Sequence, residues 1–233
     1  MVRTAVLLIF LVLLLSFSGC AVGNKTQQSS SNNENAVSKK EYIPPDLHRC
    51  YSCLDKMLTP EQRDEMKNCK SEEEMVGKYH FGLGMGLRNG WGLWANSRLA
   101  EYFNEMGVYH PDDMSSIILK SYWLKLNGKR YDIVPDIVHF QRYALQWMIA
   151  LQPDKMKCPR CGAGIEGIYP LDCAIKRDDG TAFVFQVLRC DNGHNVMFDG
   201  KELKTLNGPY EEVFTKAMAK DLLKLEPLER KGK

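Results

Sequence analysis

The chain has 233 residues, of which 44% are apolar and 26% charged. That is enough for one medium domain or two small ones, and it excludes a mainly disordered or collagen-like polymer. Thirty-one Lys and Arg against twenty-nine Asp and Glu leave a formal charge of +2. No basic run supplies a local field either, so nucleic acid is not an expected partner.

In chain order, Arg3 precedes an unbroken apolar run from Ala5 to Leu15, followed by Ser16-Phe17-Ser18-Gly19-Cys20. That run falls well short of the ~20 residues a bilayer core requires. With a positive start and small residues before a cut point, residues 1–19 describe a secretory signal. Ser18-Gly19-Cys20 resembles the lipobox of bacterial lipoproteins, although Phe17 stands where Leu is commoner. The resemblance implies that Cys20 becomes an acylated N-terminus whose palmitate-type chains anchor the protein to a membrane of the cell envelope, facing periplasm or cell surface. Several acyl chains hold stably where one would not. Residues 20–43, rich in Ser, Asn and Gln and without an aromatic between 24 and 38, read as a flexible tether.

Residues 44–152 show helical spacing and repeated start signals. Asp46 caps a first helix with Leu47, Cys50, Leu54, Met57 and Leu58 on one face. Thr59-Pro60-Glu61-Gln62 is a capping box, and Ser71-Glu72-Glu73-Glu74 opens another helix. Ser97 to Met106 stops at Gly107. His110-Pro111-Asp112-Asp113 opens a helix that ends near Asn127-Gly128, and Val134 to Leu151 forms the last. The spacing predicts about five or six helices and almost no strand. Gly82, Gly84 and Gly86 do not form a phosphate loop, because no strand precedes them and no Gly-Lys-Ser/Thr follows; Gly82 and Gly86, one turn apart, would admit a neighbouring backbone.

Arg88-Asn89-Gly90-Trp91-Gly92-Leu93-Trp94, Ser97-Arg98-Leu99, Tyr102-Phe103 and His110 to Leu119 resemble an uncharacterised bacterial domain family over about residues 45 to 145. That family shares an RNxWGLW, SRLxxYF and HPDDMSxIIL signature but lends no activity. Within it, Arg88, Trp91, Trp94 and Arg98 are the candidate binding residues, since an exposed Arg–Trp cluster grips anionic or aromatic partners. A tryptophan at such spacing can equally be core. His110, Asp112 and Asp113 are the candidate catalytic group, against the reading that Pro and two carboxylates simply suit a helix start.

From Lys157 the composition shifts. Cys158-Pro159-Arg160-Cys161-Gly162 and Cys190-Asp191-Asn192-Gly193-His194 bracket two strands, Ile168 to Lys176 and Thr181 to Arg189, joined at Asp178-Asp179-Gly180. Val196 to Phe198 suggests a third. Cys158, Cys161, Cys190 and His194 could form a tetrahedral site, and the segment 156–206 resembles the zinc-ribbon family, which implies a structural zinc. Disulfides, favoured by export, and a redox dithiol at Cys158-Cys161 remain alternatives at this point. Of the other cysteines, Cys50 or Cys53 could bridge to Cys69, and Cys173 reads as a buried strand residue. Residues 207–233 supply a final helix, about Tyr210 to Leu225, and a polar tail.

The expected fold is therefore α+β: an all-α helical domain, a small zinc-ribbon-like antiparallel β module, and a C-terminal helix. The expected role is binding of a protein or envelope ligand by a membrane-anchored lipoprotein, for instance in the manner of an immunity protein that neutralises an incoming toxin. The competing expectation is an envelope hydrolase using His110, Asp112 and Asp113, although no Gly-x-Ser-x-Gly or His-Glu-x-x-His is present.

Overall fold

A computed structural model describes residues 42–179 and 181–224. The segment expected to be a secretory leader, the expected acylation site Cys20, most of the expected tether, the hairpin residue Gly180 and the tail beyond Lys224 lie outside the described residues.

Among the described residues seven α-helices precede the sheet: α1 (Leu47–Met57), α2 (Pro60–Lys67), α3 (Glu72–Tyr79), α4 (Met85–Gly90), α5 (Arg98–Asn104), α6 (Pro111–Leu126) and α7 (Val134–Leu151). Local chemistry sets their starts. Asp46 accepts from the Arg49 amide at 2.7 Å, Ser71 from Glu74 and Ser97 from Ala100. Thr59 and Gln62 exchange both bonds of the expected capping box. The helix count exceeds the five or six predicted from spacing because the stretch after Ser71 is interrupted. A π-helical turn, His80–Gly84, separates α3 from α4, and turns at Trp91–Asn96 separate α4 from α5.

The five-residue run from Gly82 to Gly86 also resolves differently from expectation. Gly82 and Gly86 have open space where a side chain would stand. It is Gly84 that is packed, where an added Cβ would meet Arg88 Nη1 at 3.2 Å and the Tyr79 carbonyl at 3.3 Å.

Helix α6 is the axis of the helical half, with α1 to α5 packed around it. It buries Met114, Ile117, Ile118, Leu119 and Tyr122, each worth roughly 1.5–3 kcal/mol of transfer free energy. Tyr122 also donates to Asp55 at 2.8 Å, which ties α6 to α1.

Four strands follow in an antiparallel meander: β1 (Ile165–Lys176), β2 (Ala182–Cys190), β3 (Asn195–Phe198) and β4 (Leu203–Thr205), in that spatial order. The short β4 had no sequence signal of its own. Alternation along β2 gives the sheet two covered faces. Phe183, Phe185 and Val187 pack with Tyr210, Val213 and Phe214 of the final helix α8 (Gly208–Lys224). Val184 points the other way into the helical core, and Leu188 meets Leu145 of α7.

The joint between α7 and the sheet is polar at its centre. Gln141 Nε2 lies 3.1 Å from the Gly107 carbonyl, 2.8 Å from that of Val184 and 3.2 Å from that of Asp199. Gly107 stands at φ +90°, and a side chain there would strike Gln141 and come within 2.8 Å of the Val184 oxygen. Only glycine fits so close an approach in that backbone region. The all-α segment and the β segment thus share packing rather than standing as separate cores.

Candidate metal centre and aromatic groove

Two turns build the metal centre. In the first, Cys158 N–H donates to the Ala163 carbonyl and Gly162 N–H to the Cys158 carbonyl, both at 2.8 Å. In the second, Cys190 N–H donates to the His194 carbonyl at 2.9 Å and Gly193 N–H to the Cys190 carbonyl at 2.7 Å. Gly162 and Gly193 take φ +72° and +80°, the left-handed angles that the two turns require. A bond from Asp191 N–H to the Gly164 carbonyl, 3.0 Å, holds one turn against the other.

The result brings Cys158, Cys161, Cys190 and His194 together with their ligand atoms within 4.8 Å of one another. Cys161 and Cys190 sulfurs stand 3.8 Å apart. That is the edge of a tetrahedron whose metal–sulfur bonds are ~2.3 Å, and far beyond a disulfide of ~2.05 Å. His194 Nδ1 lies 3.3 Å from Cys161 Sγ, 3.6 Å from Cys190 Sγ and 4.0 Å from Cys158 Sγ, so the fourth vertex is in place. The surroundings act differently on two of the sulfurs. The Ala163 amide, with Asn192 and His194, pulls the Cys161 thiol down to about 6, whereas burial raises that of Cys158. Residues of this type and spacing can hold a tetrahedral, thiophilic metal ion. Cys173, buried in β1, is not part of the cluster. Cys50, Cys53 and Cys69 carry free thiols, so the bridge considered for them is not formed.

A second feature lies on α7. Tyr143, Trp147 and Leu151 are 56%, 51% and 61% exposed, and they recur every four residues along one face. The opposite face, Ile137, Gln141 and Leu145, is buried against the sheet. Beside the exposed stripe runs an open groove of about 620 Å³ that also takes in His110, Asp112, Asp113, Phe140 and Lys201. Trp94, exposed, meets the His110 ring edge-on with centroids 6.0 Å apart. Burial, aided by the neighbouring Asp112 carboxylate, raises the Asp113 carboxyl to about 6, against the opposing pull of His110 and His139.

Residues 43–126 match the family model described as a domain of unknown function, DUF6794. No curated protein and no solved structure matches the chain. The DUF6794 span runs from just before α1 to the last residue of α6, and it contains the three signature runs around Trp91, Arg98 and His110.

Within the DUF6794 span much of the signature is structural, which corrects two of the candidate binding residues. Trp91 is 2% exposed. Arg88 is buried too, with Nε 2.9 Å from Asp112 Oδ1 and Nη1 bonded to Ser115 Oγ at 3.0 Å and to the His80 carbonyl at 3.3 Å. Trp94 and Arg98 remain on the surface. His110 is the N-cap of α6, where its Nδ1 accepts from the Asp112 amide at 3.2 Å. All three catalytic candidates line the α7 groove, but their commitments differ. Asp112 is paired with Arg88, His110 caps α6 with its Nδ1 3.6 Å from Asp112 Oδ2, and Asp113 has no ion pair among the described residues.

The α7 stripe was missed because the stretch 134–151 reads simply as apolar. The signal was present: positions 141 and 143 differ by ~200° around a helix, so apolar residues fall on both faces. Among the described residues no helix is long and apolar enough to cross a membrane.

Proposed function

We propose that this chain is a binding module of the bacterial cell envelope, held there by acyl chains on Cys20, that captures a protein or envelope ligand at the α7 groove. The observation that carries the reading is the stripe of Tyr143, Trp147 and Leu151. Large apolar side chains in one exposed row are expensive to leave in water and mark a surface that a partner covers. Trp94 and Arg98 extend the same capture role on the DUF6794 side. An immunity-type partner, an incoming toxin, is one form this takes. In this reading the Cys158, Cys161, Cys190 and His194 cluster holds zinc. The three-sulfur, one-nitrogen donor set suits that borderline-soft ion, and four protein ligands leave no position for substrate, so the zinc is structural.

Two experiments test the reading together. A photo-reactive residue placed at position 147 or 143 in living bacteria gives one discrete adduct, and one placed at exposed Lys70 gives none. Labelled palmitate enters the wild-type protein and not the Cys20→Ala variant, which leaves the membrane fraction. No adduct from correctly anchored protein would overturn the binding site, and absent label would overturn the anchor.

A second reading, an envelope hydrolase using His110, Asp112 and Asp113, centres on Asp113: a carboxyl holding its proton to about 6, in a groove the other two also line, suits a general acid. Hydrolysis of an envelope substrate by the intact protein, lost in the Asp113→Asn variant, would support it.

A further inference from the structure

A second hollow is roomier than the α7 groove. About 860 Å³ opens between α1, α5, the α6–α7 connection and the turn end of the β1–β2 hairpin. Its charge is one-sided. Lys125, Lys129, Arg130 and Lys176 line it, and Asp132 is the one carboxylate among its lining residues. Asp132 is occupied locally, accepting from the Val134 amide at 3.1 Å at the start of α7.

The cations differ in how they are satisfied. Lys125 pairs with Asp55 at 2.7 Å. Lys129 lies over the Trp123 ring, and among the described residues neither it nor Arg130 nor Lys176 has an ion-pair partner. Lys129 and Arg130 follow the end of α6, whereas Lys176 ends β1, and all three line this one cavity. The nearby carboxylates are engaged: Asp46 caps α1 and Asp179 accepts from Thr181 at 2.9 Å.

Below this basic rim the walls are apolar. Leu47, Met106, Ile133, Val134 and Ala182 line the interior with the rings of Tyr51, Tyr102 and Tyr131. Tyr131 is spoken for, donating to Asp136 at 2.6 Å. The Tyr102 hydroxyl makes no hydrogen bond among the described residues, and burial raises it to about 12, so it stays a donor throughout the physiological range.

We infer that this cavity binds an organic phosphate monoester, its apolar body among the tyrosines and aliphatic side chains and its phosphate at Lys129, Arg130 and Lys176. Three cations without a carboxylate partner and a free hydroxyl donor suit a dianion with three acceptor oxygens better than a carboxylate with two. The volume falls within the range of small-molecule sites, and the mixture of apolar wall and few convergent polar groups is their usual composition. The same chemistry is offered by a soluble aryl or nucleoside monophosphate and by the head of a phosphatidate lipid. The site is separate from the α7 groove and does not depend on what that groove captures.

The test uses the full chain in non-ionic detergent. Calorimetric titration with phenyl phosphate gives saturable binding, at least tenfold tighter than inorganic phosphate, and weakened as salt rises. Thermal unfolding in the same micelles doped with phosphatidate, against phosphatidylcholine, reads the lipid source. A response to either probe supports the site, and which probe responds identifies the source. The Arg130→Gln/Lys176→Gln double variant, altered only at exposed side chains, loses at least tenfold in affinity or the whole thermal shift. Silence to both probes overturns the inference. So does inorganic phosphate binding as tightly as phenyl phosphate, or an unchanged double variant.

Discussion

Gln141 donates its side-chain amide to the carbonyl of Val184 at 2.8 Å, so a helix residue closes the backbone of the central strand. The same nitrogen reaches the Gly107 and Asp199 carbonyls, and Gln141 itself is buried. Leucine at 141 would leave carbonyl oxygens dry and unpaired, at ~1–3 kcal/mol for each group left unsatisfied. The Gln141→Leu variant is expected to lose about 3 kcal/mol in urea unfolding, with helix and sheet signals still melting together. A loss under about 0.5 kcal/mol would mean the joint is held by apolar contacts alone.

Metal removal should act far beyond the two turns. Purified protein is expected to carry about one zinc per chain, and Cys190→Ser to carry almost none. Four-ligand zinc contributes on the order of 10 kcal/mol in small isolated modules. Here β2, which ends at Cys190, continues into the core that α8 covers, so chelation should lower the melting temperature and admit alkylating reagent first at exposed Cys161. Mass mapping of alkylated thiols reads this directly. Full alkylation at Cys158, Cys161 and Cys190 before chelation would reject metal ligation.

Arg88 sits at the crossing of the π-helical turn, α4 and α6. Removing it leaves Asp112 facing His80 without its guanidinium, and leaves the His80 carbonyl short of a donor. Breaking a buried pair from one side costs more than the pair contributes. Arg88→Met should lose about 3 kcal/mol. Arg88→Lys should recover only part, because one ammonium cannot reach the three acceptors that the planar fork spans.

Asp113 gives a pH dependence with a defined sign. Its carboxyl titrates near 6 in the fold against an ordinary 3.8. Below about 4 both states hold the proton and no penalty exists. As pH rises from about 4 to 6 the unfolded chain ionises first, so stability falls through that window and then levels off. Asp113→Asn should match wild type near pH 3.5 and exceed it by on the order of 2 kcal/mol at pH 7.5. Urea midpoints of the two proteins at both pH values decide it. An equal difference at both would place the effect in packing instead of ionisation.

Local chemistry made much of the fold legible in the sequence. The Thr59–Gln62 box, the Ser97 and His110 caps, and the glycines at 107, 162 and 193 act within a few residues of where they stand, and each appears in the structure where the spacing put it. The metal cluster was legible for the same reason, since each turn positions its own pair of ligands. What could not be read was set by distant neighbours. Trp91 and Trp94 look alike in sequence, yet one is enclosed by the helical core and the other is not. Arg88 looks like a surface cation until Ser115 and Asp112 arrive from α6. Val184, in a strand of the β segment, fills the helical core, a pairing across dozens of residues that no local pattern announces.

That one valine has a consequence for the order in which the chain can mature. Chain released vectorially, from a ribosome or through a translocation pore, presents α1 to α6 long before β2 emerges. Until then the helices have a hole where Val184 belongs, and Gly107 faces nothing. The early part must wait, loosely gathered, for a plug synthesised late.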